Sequence, residues 1–432
     1  MHFIIIGNGV TGITAAITIR KLSAVHQITV ISSESEHFYS RTALMYLYMG
    51  HMRYSHIKPY EDWFWPENNI NLIKAQVTKV DFISRQVVLQ DKSAFSYDKL
   101  LIATGSLPNK INVPGEDLSG VQGFYNLSDL ENLEVNSANI KRAVIVGGGL
   151  IGVELAEMFH SRCIPVTFLV REKNYWGHVL PPEEATLIAN HIREHGIDLR
   201  MQTQLQEITR DAKGRVNGII TTSGEHISCQ LVGMAIGVSP NIAFLQHTDL
   251  QVNRGVIVNQ YLESNIPHVY AAGDCAELQT KYFDKTLVEQ LWYTGRMQGE
   301  TVAYTMCGQR TPYQRGIWFN SAKFFDIEYQ TYGQVPAVFP VGEETLYWQH
   351  PDGKKSLRIN YESATGQVLG FNLLGIRYRH EVCARWIQEH RTVTYVLQHL
   401  KEANFDPEFF RRYEKQITTY FTRILSAKPQ ES

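Results

Sequence analysis

The feature that most constrains this chain is a strand-and-glycine pattern that occurs twice, 140 residues apart. The first copy reads Phe3-Ile4-Ile5-Ile6-Gly7-Asn8-Gly9-Val10-Thr11-Gly12, and the second Ala143-Val144-Ile145-Val146-Gly147-Gly148-Gly149-Leu150-Ile151-Gly152. Each leads from a β-branched strand through a glycine loop into a helical run, residues 13–22 and 153–161, and then into a second strand, residues 28–31 and 166–170. Strand, helix and strand in that order predict a βαβ unit and a parallel sheet. Two such units separated by unrelated sequence predict two domains rather than a short-period repeat.

The loops carry their own chemistry. Gly7 permits a tight turn, Gly9 lets the backbone approach a pyrophosphate, and Gly12 lets helix and strand pack closely. Gly147, Gly149 and Gly152 repeat the arrangement. The helix that follows offers unpaired N–H groups and the positive end of its dipole to phosphate. Two dinucleotides are therefore expected. An acid closing the second strand would accept hydrogen bonds from a ribose; Glu34, 22 residues after Gly12, suits that role, with Glu36 as its rival. In the second copy Val170 stands where that acid belongs, followed by Arg171 and Glu172. A missing acid beside an arginine leans toward a 2′-phosphate, hence NADPH, although Glu172 remains an alternative ribose partner.

Elsewhere, residues 75–90 have strand character, and an apolar strand over 98–103 ends in Thr104-Gly105. Residues 108–116 are turn-rich, with a Pro114-Gly115 pair suited to a crossover. A strand over 231–236 leads to Gly237, another over 268–272 leads to Gly273-Asp274, and residues 287–307 read as a helix. From about residue 316 the character changes: strand-like alternation over 323–330 and 356–361, then helix from His380 onward. The expected fold is α/β, with two Rossmann-like dinucleotide-binding domains and a C-terminal α+β domain. The first domain is discontinuous, 1–113 with 246–315; the second spans 114–245; the third spans 316–432.

Bulk properties narrow the classes. A net charge of −2 supplies no global basic field, so no nucleic-acid partner is expected. The five cysteines (163, 229, 275, 307 and 383) form no close pair, which points to a reducing compartment rather than a disulfide framework. No signal peptide and no stretch near the roughly 20 apolar residues of a membrane span are evident, so cytoplasmic location and no integral membrane segment are expected. The sixteen histidines read as scattered without metal-ligand spacing, and no metal site is expected.

Four motifs in order, Gly7-x-Gly9-x-x-Gly12, Ala103-Thr104-Gly105, Gly147-x-Gly149-x-x-Gly152 and Ala272-Gly273-Asp274, carry a resemblance over about residues 1–315. The chain resembles the two-dinucleotide-binding-domain flavoproteins of the pyridine nucleotide–disulfide reductase superfamily. The resemblance implies two Rossmann-like FAD/NAD(P)-binding domains, with FAD in the first and NAD(P)H in the second, and a C-terminal α+β interface or dimerisation domain. It further implies that Gly273 and Asp274 meet the ribitol and pyrophosphate region, that Thr104 and Gly105 close around the cofactor, and that Val77 holds the adenine through its backbone. Glu154 matches a family glutamate directed at the nicotinamide, and is the expected catalytic residue.

Disulfide reductases of this superfamily carry a Cys-x4-Cys pair in the helix after the first βαβ strand, and the peroxidase and oxidase branch keeps one cysteine there. This chain has no cysteine before Cys163, and Ala43 falls at the single-cysteine position. What remains is similar to the ferredoxin and rubredoxin reductase branch, which includes apoptosis-inducing factor and the flavin domain of assimilatory nitrite reductase. Tyr39-Ser40-Arg41-Thr42-Ala43-Leu44 resembles that branch's Tyr-x-Arg-Pro-Pro-Leu, which would bring Arg41 to the FAD phosphates. Tyr46 replaces a lysine often found near the flavin, and Ser321 falls where an aromatic covers it, with Trp318 and Phe319 nearby.

The resemblance implies an NAD(P)H oxidoreductase that passes electrons through FAD to a small redox protein such as rubredoxin or ferredoxin, with a homodimer possible. One alternative is a quinone reductase at a membrane surface, motivated by a stripe of Phe409, Phe410, Tyr413, Ile417, Tyr420, Phe421, Ile424 and Leu425. Another is a non-catalytic, redox-dependent FAD/NAD-binding interaction protein.

Overall fold

The structure, a computed structural model, describes residues 1–279, 287–406, 408–409 and 411–427. The chain divides into two compact units. The first comprises residues 1–111, 122–138 and 236–315; the second comprises 112–121, 139–235 and 316–432. The second thus joins most of the segment expected as a nucleotide domain to the whole C-terminal region, and the first also takes in residues 122–138.

In the first unit five parallel strands lie in the order Val269–Ala271, Lys99–Ile102, His2–Ile6, Gln27–Ser32 and Ile70–Lys74. Phe3, Ile4 and Ile5 are fully buried on both faces of the sheet, as an interior parallel strand covered on each side requires. The Val10–Leu22 helix packs along the Trp292–Met306 helix. Gly295 and Gly299 permit this, since a Cβ on Gly299 would run into the Thr11 carbonyl oxygen. The helix expected over 287–307 begins only at Trp292.

In the second unit the Asp198–Met201, Val166–Val170, Ala143–Val146 and Leu231–Met234 strands form the corresponding parallel array. The C-terminal region is an antiparallel sheet in the order Phe319–Phe324, Ile327–Gly333, Val368–Leu374, Ser356–Glu362, Glu343–Gln349. The single strand expected over 323–330 is in fact a hairpin. Phe324 pairs with Ile327 across a two-residue turn, and Phe325 takes a φ of 58° there. Neither turn residue is glycine or proline, so the only local turn signal is Asp326.

Helices close the other face of this sheet. Ile417 and Phe421 of the Glu414–Ser426 helix are fully buried in the core of the C-terminal region, with Ile424 and Leu425 packed against it. The apolar stripe proposed for a membrane surface is therefore turned largely into the protein's own core. Phe409 and Tyr420 are exposed, and Phe410 lies outside the described residues. No helix among the described residues is long and apolar enough to cross a membrane.

Candidate functional site

The first glycine loop begins where the His2–Ile6 strand ends. The Gly7 N–H donates to the Ile31 carbonyl at 2.8 Å, and its φ of 112° is a conformation side-chain-bearing residues rarely adopt. A Cβ on Gly12 would collide with the Gly7 carbonyl oxygen, which accounts for the close helix–strand approach. Gly9 differs from both: a Cβ there meets nothing within 4 Å. It caps the Val10–Leu22 helix and borders a cleft of about 930 Å³. The helix starts at Val10 rather than residue 13, so its first N–H groups belong to the loop itself.

Every residue expected to bind FAD lines this cleft, apart from Gly12, which supports it from behind, and Gly273. Glu34 faces it and Glu36 does not. Glu34 and Arg41 are paired with one another at 2.7 Å, the Tyr39 hydroxyl donates to the same carboxylate, and Arg41 also donates to the Tyr125 carbonyl at 2.5 Å. The Arg41 guanidinium lies 4.5 Å from the centre of the Tyr125 ring. The sequence marked Glu34 and Arg41 for separate roles; the structure joins them in one network. Burial and the Glu34 carboxylate push the Tyr39 phenol well up.

At the other end of the cleft the Thr104 hydroxyl donates to the Asn241 carbonyl at 2.7 Å, and Gly105 takes a φ of 66°. The Ser106 hydroxyl donates to Asp274 Oδ2 at 3.0 Å. Burial pushes the Asp274 carboxyl up, opposed by the Ser106 bond and the Arg41 charge. Gly273, with a φ of 78°, presses on the Thr11 side chain, and its N–H donates to Gln298 Oε1 at 2.7 Å. Val77 opens a strand beside the cleft, and the Gln76 amide donates to its carbonyl at 3.0 Å. Sequence reasoning missed Ser106, Tyr125, Asn241 and Gln290, which line the cleft without any short motif to flag them.

Trp292 lines the cleft, whereas Trp65 is a core residue packed on Tyr60 and Phe64, and Trp63 is exposed. Tyr46 lies near His51, with ring centroids 6.2 Å apart; His51 and His56 are both exposed. Trp318, Phe319 and Ser321 belong to the second unit, where Phe319 packs on His380. None of the described residues lining the cleft is a cysteine; Cys275 is fully buried and burial raises its thiol.

The second glycine loop has the same construction. Gly147 has a φ of 115°, Gly149 caps the Leu150–Ser161 helix with open space beyond its Cα, and Gly152 packs on Phe168. Val170 packs on Gly148, and Arg171, mostly exposed, bonds Glu172 at 2.8 Å. Glu154 sits on this helix, partly buried. Burial first, and the neighbouring Glu157 second, lift its carboxyl to about 7. Glu157 is itself paired with Lys323 at 2.6 Å.

Both loops therefore satisfy a physical test for a dinucleotide. In each, a Cβ on the third glycine would strike the carbonyl oxygen of the first, and the middle one faces unfilled space at a helix N-terminus.

Comparison with known proteins agrees with this construction. The family described as pyridine nucleotide-disulphide oxidoreductase matches residues 1–299. The nitrite reductase [NAD(P)H] of Bacillus subtilis is 31% identical over 362 residues, covering 83% of this chain but 42% of the relative, so the chain spans less than half of that protein. A rubredoxin-NAD(+) reductase of Pseudomonas putida is 27% identical over 314 residues, 72% of this chain and 81% of its own. Among solved structures, a ferredoxin reductase from Rhodopseudomonas palustris superposes with a TM-score of 0.79 at 24% identity, covering 87% of this chain and 91% of its own. An NAD-dependent persulfide reductase from A. fulgidus gives 0.86 at 22%, covering 99% and 84%. At those identities the structural likeness speaks to fold.

Proposed function

The chain belongs to the pyridine nucleotide-disulphide oxidoreductase family, and from that premise we propose that it passes reducing equivalents from NAD(P)H through FAD to a small electron-transfer protein without a cysteine relay. Membership makes it an NAD(P)H-dependent flavin oxidoreductase, with FAD and a nicotinamide dinucleotide as its cofactors. The flavin, when bound, supplies the electron store that accepts hydride from nicotinamide and can release electrons one at a time.

The protein's part is to bind, orient and tune. In this reading Gly9 and the N-terminus of the Val10–Leu22 helix hold the FAD diphosphate, with Gly7, Gly12 and Gly273 shaping the loop. Glu34 takes the ribose, and Arg41 stays close to the phosphates while paired with Glu34. Val77 meets the adenine, and Thr104, Gly105 and Asp274 close over the flavin side. In the second unit Gly147, Gly149 and Gly152 hold the nicotinamide dinucleotide, Arg171 recognises its adenosine end, and Glu154 orients the carboxamide. A Glu154 carboxyl lifted to about 7 can donate a hydrogen bond as well as accept one near neutral pH.

The observation that carries the absence of a thiol step is the cleft lining, which includes no cysteine among the described residues. The acceptor reading is supported by the relatives named as rubredoxin and rhodocoxin reductases. The test is steady-state turnover of the flavin-loaded protein with NADH or NADPH against a rubredoxin and a [2Fe–2S] ferredoxin. Reduction of either that survives alkylation of accessible thiols is expected. Loss of activity on alkylation, or no transfer to either carrier alongside rapid transfer to a disulfide, would overturn the proposal.

A further inference from the structure

The second unit holds a side-chain cluster that none of the chemistry above uses. His191 and His195 lie four residues apart at the end of the Pro182–Glu194 helix, a spacing that places both on one face. Asp326 reaches them from the turn between the Phe319–Phe324 and Ile327–Gly333 strands. One ligand atom from each of the three lies within 4.8 Å of the others.

His191 is 1% exposed, and neither ring nitrogen makes a hydrogen bond of acceptable geometry. Its Nε2 nevertheless sits 2.6 Å from Asp326 Oδ1, close in distance but poorly directed; Nδ1 is 3.7 Å from a Glu194 oxygen. A buried imidazole left without a well-formed bond is costly, and such groups call for a reason. His195 is already oriented. Its Nδ1 lies 2.9 Å from the His191 carbonyl, which can only accept, so that bond places a proton on Nδ1 and, in the neutral ring, leaves the Nε2 lone pair for a ligand. That Nε2 is 3.6 Å from the same Asp326 oxygen. Phe325 stacks on the His195 ring, centroids 4.3 Å apart and planes 22° apart. The left-handed φ of 58° at Phe325, strained for an aromatic residue, is what presents Asp326 to the pair.

We propose that His191, His195 and Asp326 form a binding site for a divalent transition-metal ion of the zinc type. Two imidazoles and one carboxylate are a ligand set zinc accepts, with donors at about 2.0–2.2 Å and therefore about 3.4 Å from one another. The observed 2.6 and 3.6 Å separations bracket that spacing, so small side-chain movements suffice. The backbone bond at His195 Nδ1 is the outer-shell partner a ligating histidine usually has. Asp326 is 64% exposed, which gives the ion an entry path and leaves remaining positions to water. Because the ligands come from a helix and from a hairpin turn far along the chain, a bound ion ties the two together within this unit.

The experiment uses the full-length, tag-free, flavin-loaded protein after chelator treatment, titrated with Zn2+ alone by calorimetry and with Co2+ alone by visible absorption. One Zn2+ per chain in the micromolar range or tighter, a Co2+ ligand-field band, and a melting temperature that rises with Zn2+ are expected. His195→Ala and Asp326→Asn should each weaken Zn2+ binding by about 100-fold and remove the Zn2+-dependent rise in melting temperature, leaving the visible flavin spectrum unchanged. No Zn2+ binding by the parent protein, or binding equally tight in both variants, would overturn the site and leave a histidine–aspartate ion pair in its place.

Discussion

Gly9 and Gly12 stand three residues apart and the structure gives them opposite consequences. A methyl group on Gly12 strikes the backbone of Gly7, whereas one on Gly9 meets only open space. Gly12→Ala should therefore lose folded protein, while Gly9→Ala should melt as the parent does yet bind FAD at least about ten-fold more weakly, or about 1.4 kcal/mol. Circular dichroism melting with a flavin-fluorescence titration separates the two outcomes. Glu154 gives a second test. Its carboxyl rises from an ordinary 4.5 to about 7 on folding, so the folded chain holds the extra proton between those values. The stability this contributes is present at acid pH and is lost as pH rises through that window. Relative to Glu154→Gln, the parent should lose about 2 kcal/mol between pH 5 and pH 8 in urea unfolding. Equal pH slopes in both proteins would exclude it. At this scale the glycines were legible because their role is a local backbone requirement. The Glu34–Arg41 pairing was not, because it depends on where Tyr39 and Tyr125 place the two charges. Nor was the metal cluster. The four-residue histidine spacing at 191 and 195 is common on helices and marks no site by itself, and the third member of the cluster lies more than a hundred residues away.

At the scale of elements, the apolar runs located seven strands of the two parallel arrays to within a residue or two but did not flag Ile70–Lys74 or Asp198–Met201, whose alternation with polar and charged residues hides them. Helix starts moved outward, from residues 13 and 153 to Val10 and Leu150, because the glycine loops themselves supply the caps. The hairpin at Phe325-Asp326 is hard to read from sequence because its turn holds a strand-favouring phenylalanine in a left-handed conformation, and Asp326 alone is a weak turn signal. The last helix shows why an amphipathic stripe does not identify its own partner. Phe421 is fully buried in the C-terminal core. Phe421→Ala should cost about 3–5 kcal/mol in chemical unfolding. Sedimentation with anionic liposomes should be negligible for the parent protein, and strong sedimentation would restore the membrane-surface alternative.

Across the whole molecule, four short motifs in order were enough to indicate two dinucleotide sites, because each motif reports a backbone constraint that does not depend on distant sequence. The partition into compact units was less legible. Arg358, 2% exposed, bonds Glu184 through two nitrogens at 2.7 and 2.8 Å and Glu183 at 2.7 Å, tying the C-terminal sheet to the Pro182–Glu194 helix. No periodicity announces a buried charge whose partners lie about 170 residues away. The claim on which everything else rests is that this chain carries a flavin that nicotinamide dinucleotide reduces. Anaerobic stopped-flow mixing of the purified, FAD-supplied protein with NADH and with NADPH tests it most directly. The expected result is rapid loss of visible flavin absorbance with at least one of the two. A protein that retains no flavin, or a bound flavin that stays oxidised with both, would contradict it.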